Sequence, residues 1–355
     1  MVWTLFMLCL FSDFYPNRNH QPIVAYYECS NENYYISKST FRKMSYSTEG
    51  GAIYLKTYLE TYILIEESLF DMDSSQTCGG AIYINAASGD ICLFKVCGYD
   101  CWSSDSQFAY MLSGSSKKNF LWLVSITKCS TQSFSRKNTC KFINGNQEHK
   151  TTNISNNRVY DNSATYCENM NSLKWEYSTI VNNYAQNSGC IYFIRTDSFK
   201  DLYLNSLNIV SNDSPSNGII YSKFLNLNLK NCCLFSNNGI LLVGCEYSNT
   251  NNDYTRFFVT DCIIYHKGTF YSGRSGFIST TNSTLRTTIG STYRIDHFST
   301  YLCYNKDILE ILQENENNSP CQTLYPEPTE CLIDNTNSYP SEKLVFPIFL
   351  PLLLE

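Results

Sequence analysis

The sequence predicts an all-β chain wound as a right-handed parallel β-helix, and three observations carry that prediction. A glycine-led text recurs at a fixed period, an apolar residue stands three positions before a polar turn residue between the copies, and the composition is that of strands and tight turns.

The glycine text comes first. Gly50-Gly51-Ala52-Ile53-Tyr54-Leu55 returns as Gly79-Gly80-Ala81-Ile82-Tyr83-Ile84, an offset of 29 residues. Weaker copies at Gly189-Cys190-Ile191-Tyr192 and Gly218-Ile219-Ile220-Tyr221 share that offset. More degenerate copies are read at Gly239, at Gly276 and at residues 107–111. The second element pairs Phe70 with Asp73, Val159 with Asn162, Ile180 with Asn183, Ile209 with Asn212, and Phe235 with Asn238. A solenoid coil needs this alternation, because the chain runs as a short strand, bends sharply and runs again beneath the next coil. Gly and Asn reach left-handed backbone angles at little steric cost, so Asn162, Asn183, Asn212, Asn238 and the repeat glycines are read as corners. The small residue after Gly leaves space in a narrow lumen. The following Ile-Tyr pair gives one inward and one outward side chain.

Strand text fills the remaining walls, at 121–126, 202–204 and 225–229. Charged residues are only 16% of the chain, whereas aromatics reach 15% with 28 Tyr and 21 Phe, so long helices are not expected before the C-terminal region. These signals place a repeat domain at 25–306. Residues 1–24 are read as a signal peptide or N-terminal cap, from the apolar run Val2 to Phe11, and 307–355 as a C-terminal cap and tail. The apolar end at 344–354 is too short to span a bilayer, so membrane association would require a longer anchor than these residues supply. A leucine-rich-repeat solenoid is the alternative fold, on residues 202–212 alone.

Seventeen cysteines suggest an oxidising compartment. They permit disulfides and equally an internal stack of small reduced side chains. With four histidines and no zinc-type spacing, no metal site and no cofactor is expected.

The two Gly-Gly-Ala-Ile copies, alternating with elements such as Phe235 to Asn238, resemble the repeats of chlamydial polymorphic outer membrane proteins and of similar trichomonad surface proteins. The resemblance implies a β-helical surface protein with an adhesive or antigenic role. This chain carries no C-terminal barrel text. Its Asn-x-Ser/Thr sites at Asn153, Asn212, Asn282 and Asn317 are glycosylation candidates that suit a eukaryotic secretory route.

Function is therefore expected to be non-enzymatic, extracellular or at the cell surface, with a protein or glycan surface of another cell as partner. A net charge of -6 and a short basic group at Arg136, Lys137 and Lys141, beside Lys117 and Lys118, offer no footprint for nucleic acid. The alternative is a polysaccharide lyase or glycoside hydrolase of the β-helix class. Glu66, Glu67, Asp71 and Asp73 form the densest acidic group for such chemistry, with no basic companion expected one coil away. No nucleophile elbow, phosphate loop or His-Glu-x-x-His text is present, and no catalytic residue is assigned. The repeat tyrosines Tyr54, Tyr83, Tyr192 and Tyr221 would stack in register on the outside, either as a binding ladder or as ordinary packing between coils.

Overall fold

A computed structural model describes residues 21–22 and 33–286, apart from 131–135, 196–199, 224, 247–255, 267–268 and 273–276. Among the described residues every regular element is a β-strand, and each strand pairs in parallel with the strand one coil away. The chain is a parallel β-helix. No helix among these residues is long and apolar enough to cross a membrane.

One coil shows how the sequence makes the fold. Strand Tyr62–Asp71 runs along two walls and bends between them at Glu67, where φ is 44°. A second left-handed residue, Met72, makes the next corner. Gly79 and Gly80 then lead into strand Ile82–Ala86 on the third wall, and Asp90–Tyr99 starts the next coil in register with Tyr62–Asp71. The paired glycines have separate reasons. Gly79 sits at φ 68°, whereas at Gly80 a Cβ would lie 2.7 Å from the carbonyl oxygen of Trp102 in the next coil.

Alternation fills the lumen with columns of like side chains. Ile126, Ile154, Ile180 and Ile209 are stacked rung upon rung, and Phe41 lies on Phe70 with ring centroids 4.9 Å apart. Gly98 interrupts that column and the ring of Phe108 occupies the space its side chain would take. A neighbouring inward column carries Ile36, Ile65, Leu93, Leu121, His149, Trp175 and Leu204.

Asn162, Asn183, Asn212 and Asn238, expected at corners, do not adopt left-handed angles. The left-handed corner before Asn183 is Asn182, and the one before Asn212 is Ser211, while Asn183 and Asn212 point inward and are fully buried. Each caps a backbone amide of the preceding coil. Asn157 Oδ1 accepts from Cys129 N, Asn183 Oδ1 from Asn157 N, Asn212 Oδ1 from Asn183 N and Asn237 Oδ1 from Asn212 N, at 2.9 to 3.1 Å. Their Nδ2 groups donate to the carbonyls of Ile126, Ile154, Ile180 and Ile209. The ladder thereby satisfies donors and acceptors that the corner removes from strand pairing. Asn237, not Asn238, is the ladder member in its coil; Asn238 is exposed and bonds Asp213. Asn162 is buried, its Nδ2 on Asn138 Oδ1.

Other readings are corrected by register. Gly51, Gly189, Gly218 and Gly239 do not adopt left-handed angles, and close approach of the adjacent coil is what excludes a side chain at Gly51, Gly189 and Gly218. Gly239 faces Ser214, while Gly218 faces Leu241 across a bulge, so Gly239 is not the equivalent of Gly218. The text at 121–126 bends at Leu123 rather than running as one strand. The leucine-rich segment is strand Lys200–Val210 of the helix wall. Gln21–Pro22, within the segment read as signal or cap, pairs with Tyr34 and Tyr35. The rest of that segment, the tail, Gly276 and Asn317 lie outside the described residues.

Among the described residues ten cysteines are reduced, nine of them buried, and Cys97 is disulfide-bonded. The reduced stack thus accounts for most of the described cysteines. Cys101 and Cys129 take inward positions in the column that Asn157 continues, their thiols donating to backbone carbonyls.

Candidate functional site

The third wall presents the most regular outer surface. Its strands Ile53–Thr57, Ile82–Ala86, Ala109–Ser113, Cys140–Ile143, Thr165–Glu168 and Ile191–Ile194 stack in register, and residues at the second position of each point outward. Tyr54, Tyr83, Tyr110, Lys141, Tyr166 and Tyr192 therefore form one column, which Tyr221 of strand Asp213–Lys223 extends. The rings lie nearly parallel, with centroids 5.2 Å apart for Tyr54–Tyr83, 5.0 Å for Tyr83–Tyr110, 5.3 Å for Tyr166–Tyr192 and 4.8 Å for Tyr192–Tyr221. The spacing follows from the fold, since parallel strands lie about 4.8 Å apart and the rings inherit that repeat. Each stacked pair contributes about 1 kcal/mol beyond its buried area.

Lys141 replaces a ring without breaking the column. Its ammonium lies 5.8 Å from the Tyr110 ring centre and 5.2 Å from that of Tyr166, bridging the two stacks by cation–π contact, and Asp105 Oδ2 pairs with it at 3.5 Å. At the far end Gly244 faces Tyr221, where a Cβ would come within 2.6 Å of ring carbon Cδ2. The six tyrosines are half-buried, and burial raises the phenol pKa of Tyr83, Tyr110 and Tyr166, so those hydroxyls stay protonated donors throughout the physiological range. The column thus offers flat aromatic surface edged by neutral hydroxyls, with the Lys141 ammonium near its middle.

All four tyrosines singled out in the sequence take part. Tyr110 and Tyr166 escape the sequence reading as ladder members because their coils lack the leading glycine, although Tyr110 stands within the weak copy at 107–111. By sequence alone Lys141 groups only by its charge. A scan at variable offsets of 26 to 31 residues finds all three, since Tyr110 is 27 residues from Tyr83, Lys141 is 31 from Tyr110 and Tyr166 is 26 from Tyr192.

The acidic group is dispersed by the same alternation. Glu66 faces outward but is buried, accepting from the hydroxyls of Tyr35 and Ser37, and burial raises its pKa. Glu67 at the corner pairs with Lys95 at 2.9 Å, and Asp71 pairs with Arg42 at 2.7 Å. Basic companions one coil away therefore do exist, and they serve as local ion pairs. Asp73 turns into the lumen. Among the described residues no cluster of His, Cys, Asp and Glu could hold a metal ion.

The basic group is also split. Arg136 stacks over Trp102 at 4.5 Å, Lys117 pairs with Glu60 at 2.7 Å, and Lys118 lies over Phe120. Of the described glycosylation candidates, Asn282 is exposed at a corner. Asn212 is a buried ladder member and Asn153 lies in strand Asn153–Ser155 at 9% exposure, so neither can carry a glycan in the folded wall. No family model, curated protein or solved structure matches the chain.

Proposed function

We propose that the chain is a non-enzymatic repeat scaffold of the extracellular space or cell surface, with an adhesive or antigenic role, and that the tyrosine ladder is its contact face. The ladder is the observation that carries this reading. It sets six rigid, amphipathic rings along one wall, in two stacks of three bridged by Lys141, the kind of surface that binds a protein or glycan with little loss of side-chain entropy. The motif resemblance to polymorphic outer membrane proteins supports the same placement. A β-helix lyase or hydrolase is the second reading. It has less support, because Glu66, Glu67, Asp71 and Asp73 diverge instead of flanking one substrate position.

An epitope inserted at the exposed turn of Tyr58 and Leu59 tests the placement directly. Labelling of intact source cells is the expected result. Labelling confined to permeabilised cells would remove the surface reading.

A further inference from the structure

A second outer feature lies on a different wall and is unrelated to the ladder. Strands Ser172–Val181, Lys200–Val210, Leu225–Lys230 and Arg256–Thr260 lie side by side, and their outward residues line an open groove of about 590 Å³. Two columns form its floor. Lys174, Tyr203, Asn228 and Phe258 make one, and Glu176, Asn205, Lys230 and Thr260 make the other.

The first column alternates in a useful way. Tyr203, 54% exposed, and Phe258 are separated by one rung, so the two aromatic side chains stand two coil spacings apart, about 10 Å. That distance matches the advance of two pyranose rings along an extended chain. Between and beside them lie amide, hydroxyl and carboxylate groups from Asn228, Asn205, Thr260 and Glu176, which suit sugar hydroxyls. Two ammonium groups, Lys174 and Lys230, face one carboxylate. Lys174 already pairs with Glu176 at 3.2 Å while remaining largely exposed, which leaves the charge of Lys230 as the excess.

We infer that this groove is a binding site for a linear anionic oligosaccharide lying along the helix axis, with alternate sugar faces on Tyr203 and Phe258 and an acidic substituent on Lys230. An aromatic platform supplies affinity, the amides fix the orientation of hydroxyls, and the unbalanced lysine selects a charged chain. The inference does not depend on the ladder's role.

The test is calorimetric titration of the purified full chain with a galacturonate tetramer, and with a neutral glucose tetramer as comparison. Saturable binding of the acidic tetramer is expected, weakened at least tenfold by Tyr203→Ala and at least fivefold by Lys230→Gln. Binding of the neutral tetramer should be weaker and indifferent to Lys230→Gln. Tyr58→Ser, at an exposed turn outside both the groove and the ladder, should leave both titrations unchanged. Tyr203 and Lys230 are outward on the wall, so both variants should retain the wild-type circular dichroism spectrum. No saturable binding of the acidic tetramer, or binding unaffected by both groove variants, would overturn the inference.

Discussion

Asp73 occupies a position that Asn157, Asn183, Asn212 and Asn237 fill further along the same column. Its Oδ1 accepts the amide of Met44 at 2.8 Å, as an asparagine oxygen would, but its Oδ2 is buried with no hydrogen-bond partner among the described residues. Burial raises its pKa from 3.8 to about 7. The folded state thus holds this proton more tightly than the unfolded chain does. The contribution is fully present below pH 3.8 and is lost as pH rises to about 7, at about 1.4 kcal/mol per pH unit. Asp73→Asn removes the buried acid and supplies an Nδ2 donor like those of the other ladder members. It should add about 2 kcal/mol at pH 8 and flatten the pH dependence, measurable by thermal unfolding at pH 5 and 8. His149 acts in the opposite direction. It stands in an otherwise apolar column between Leu121 and Trp175, with the Phe142 ring edge-on to it and both ring nitrogens without partners among the described residues, and burial lowers its pKa from 6.5 to about 3. Its contribution is present above pH 6.5 and lost as pH falls toward 3. His149→Leu, which continues the Leu93 and Leu121 column, should raise the unfolding temperature at pH 4.5 by more than at pH 7.5.

At the scale of the element, the corners explain what the sequence disclosed and what it hid. The Gly-Gly pairs are legible because the first glycine takes a left-handed angle and only glycine fits at the second beneath the next coil, and Gly80→Ala should cost about 3 kcal/mol or more in unfolding free energy by forcing the backbones of Gln107 and Trp102 away. The other corners were not legible. Lys38, Glu67, Lys95, Leu123, Thr151, Tyr177, Ser206, Asn231, Asp261 and Asn282 share one column with φ between 44 and 56°, and no residue type marks them. The coil above and below imposes this angle, so the local cost of about 1 kcal/mol per residue is borne by tertiary pairing. Thr151, β-branched at φ 52°, carries the highest such cost in the column. Thr151→Gly should therefore stabilise the chain by about 1 kcal/mol in denaturant unfolding, against the usual direction for a glycine substitution in a sheet. Asparagine serves in both places: Asn182, Asn231 and Asn282 sit at corners, whereas Asn183 and Asn212, expected there from the sequence, follow the corner because the amide freed by the turn needs an internal acceptor. The tyrosine ladder was visible wherever the Ile-Tyr text survived, and invisible at Lys141, where a cation substitutes for a ring by the same face-on contact.

For the whole molecule, stacking turns a weak repeat into continuous surfaces. No single coil buries its own apolar face, so the isoleucine column, the asparagine ladder and the tyrosine ladder all exist only through their neighbours in the stack. This also makes the ladder a sensitive target, since replacing two rings breaks a surface of several while leaving the lumen intact. The most direct measurement of the central claim is the binding of labelled, purified full chain to intact cells from the surroundings of the source cell, comparing wild type with Tyr83→Ser/Tyr192→Ser at matched circular dichroism spectra. Saturable binding by the wild type and at least a tenfold loss in the variant are expected. Equal binding by the two, or no saturable binding by either, would contradict the claim.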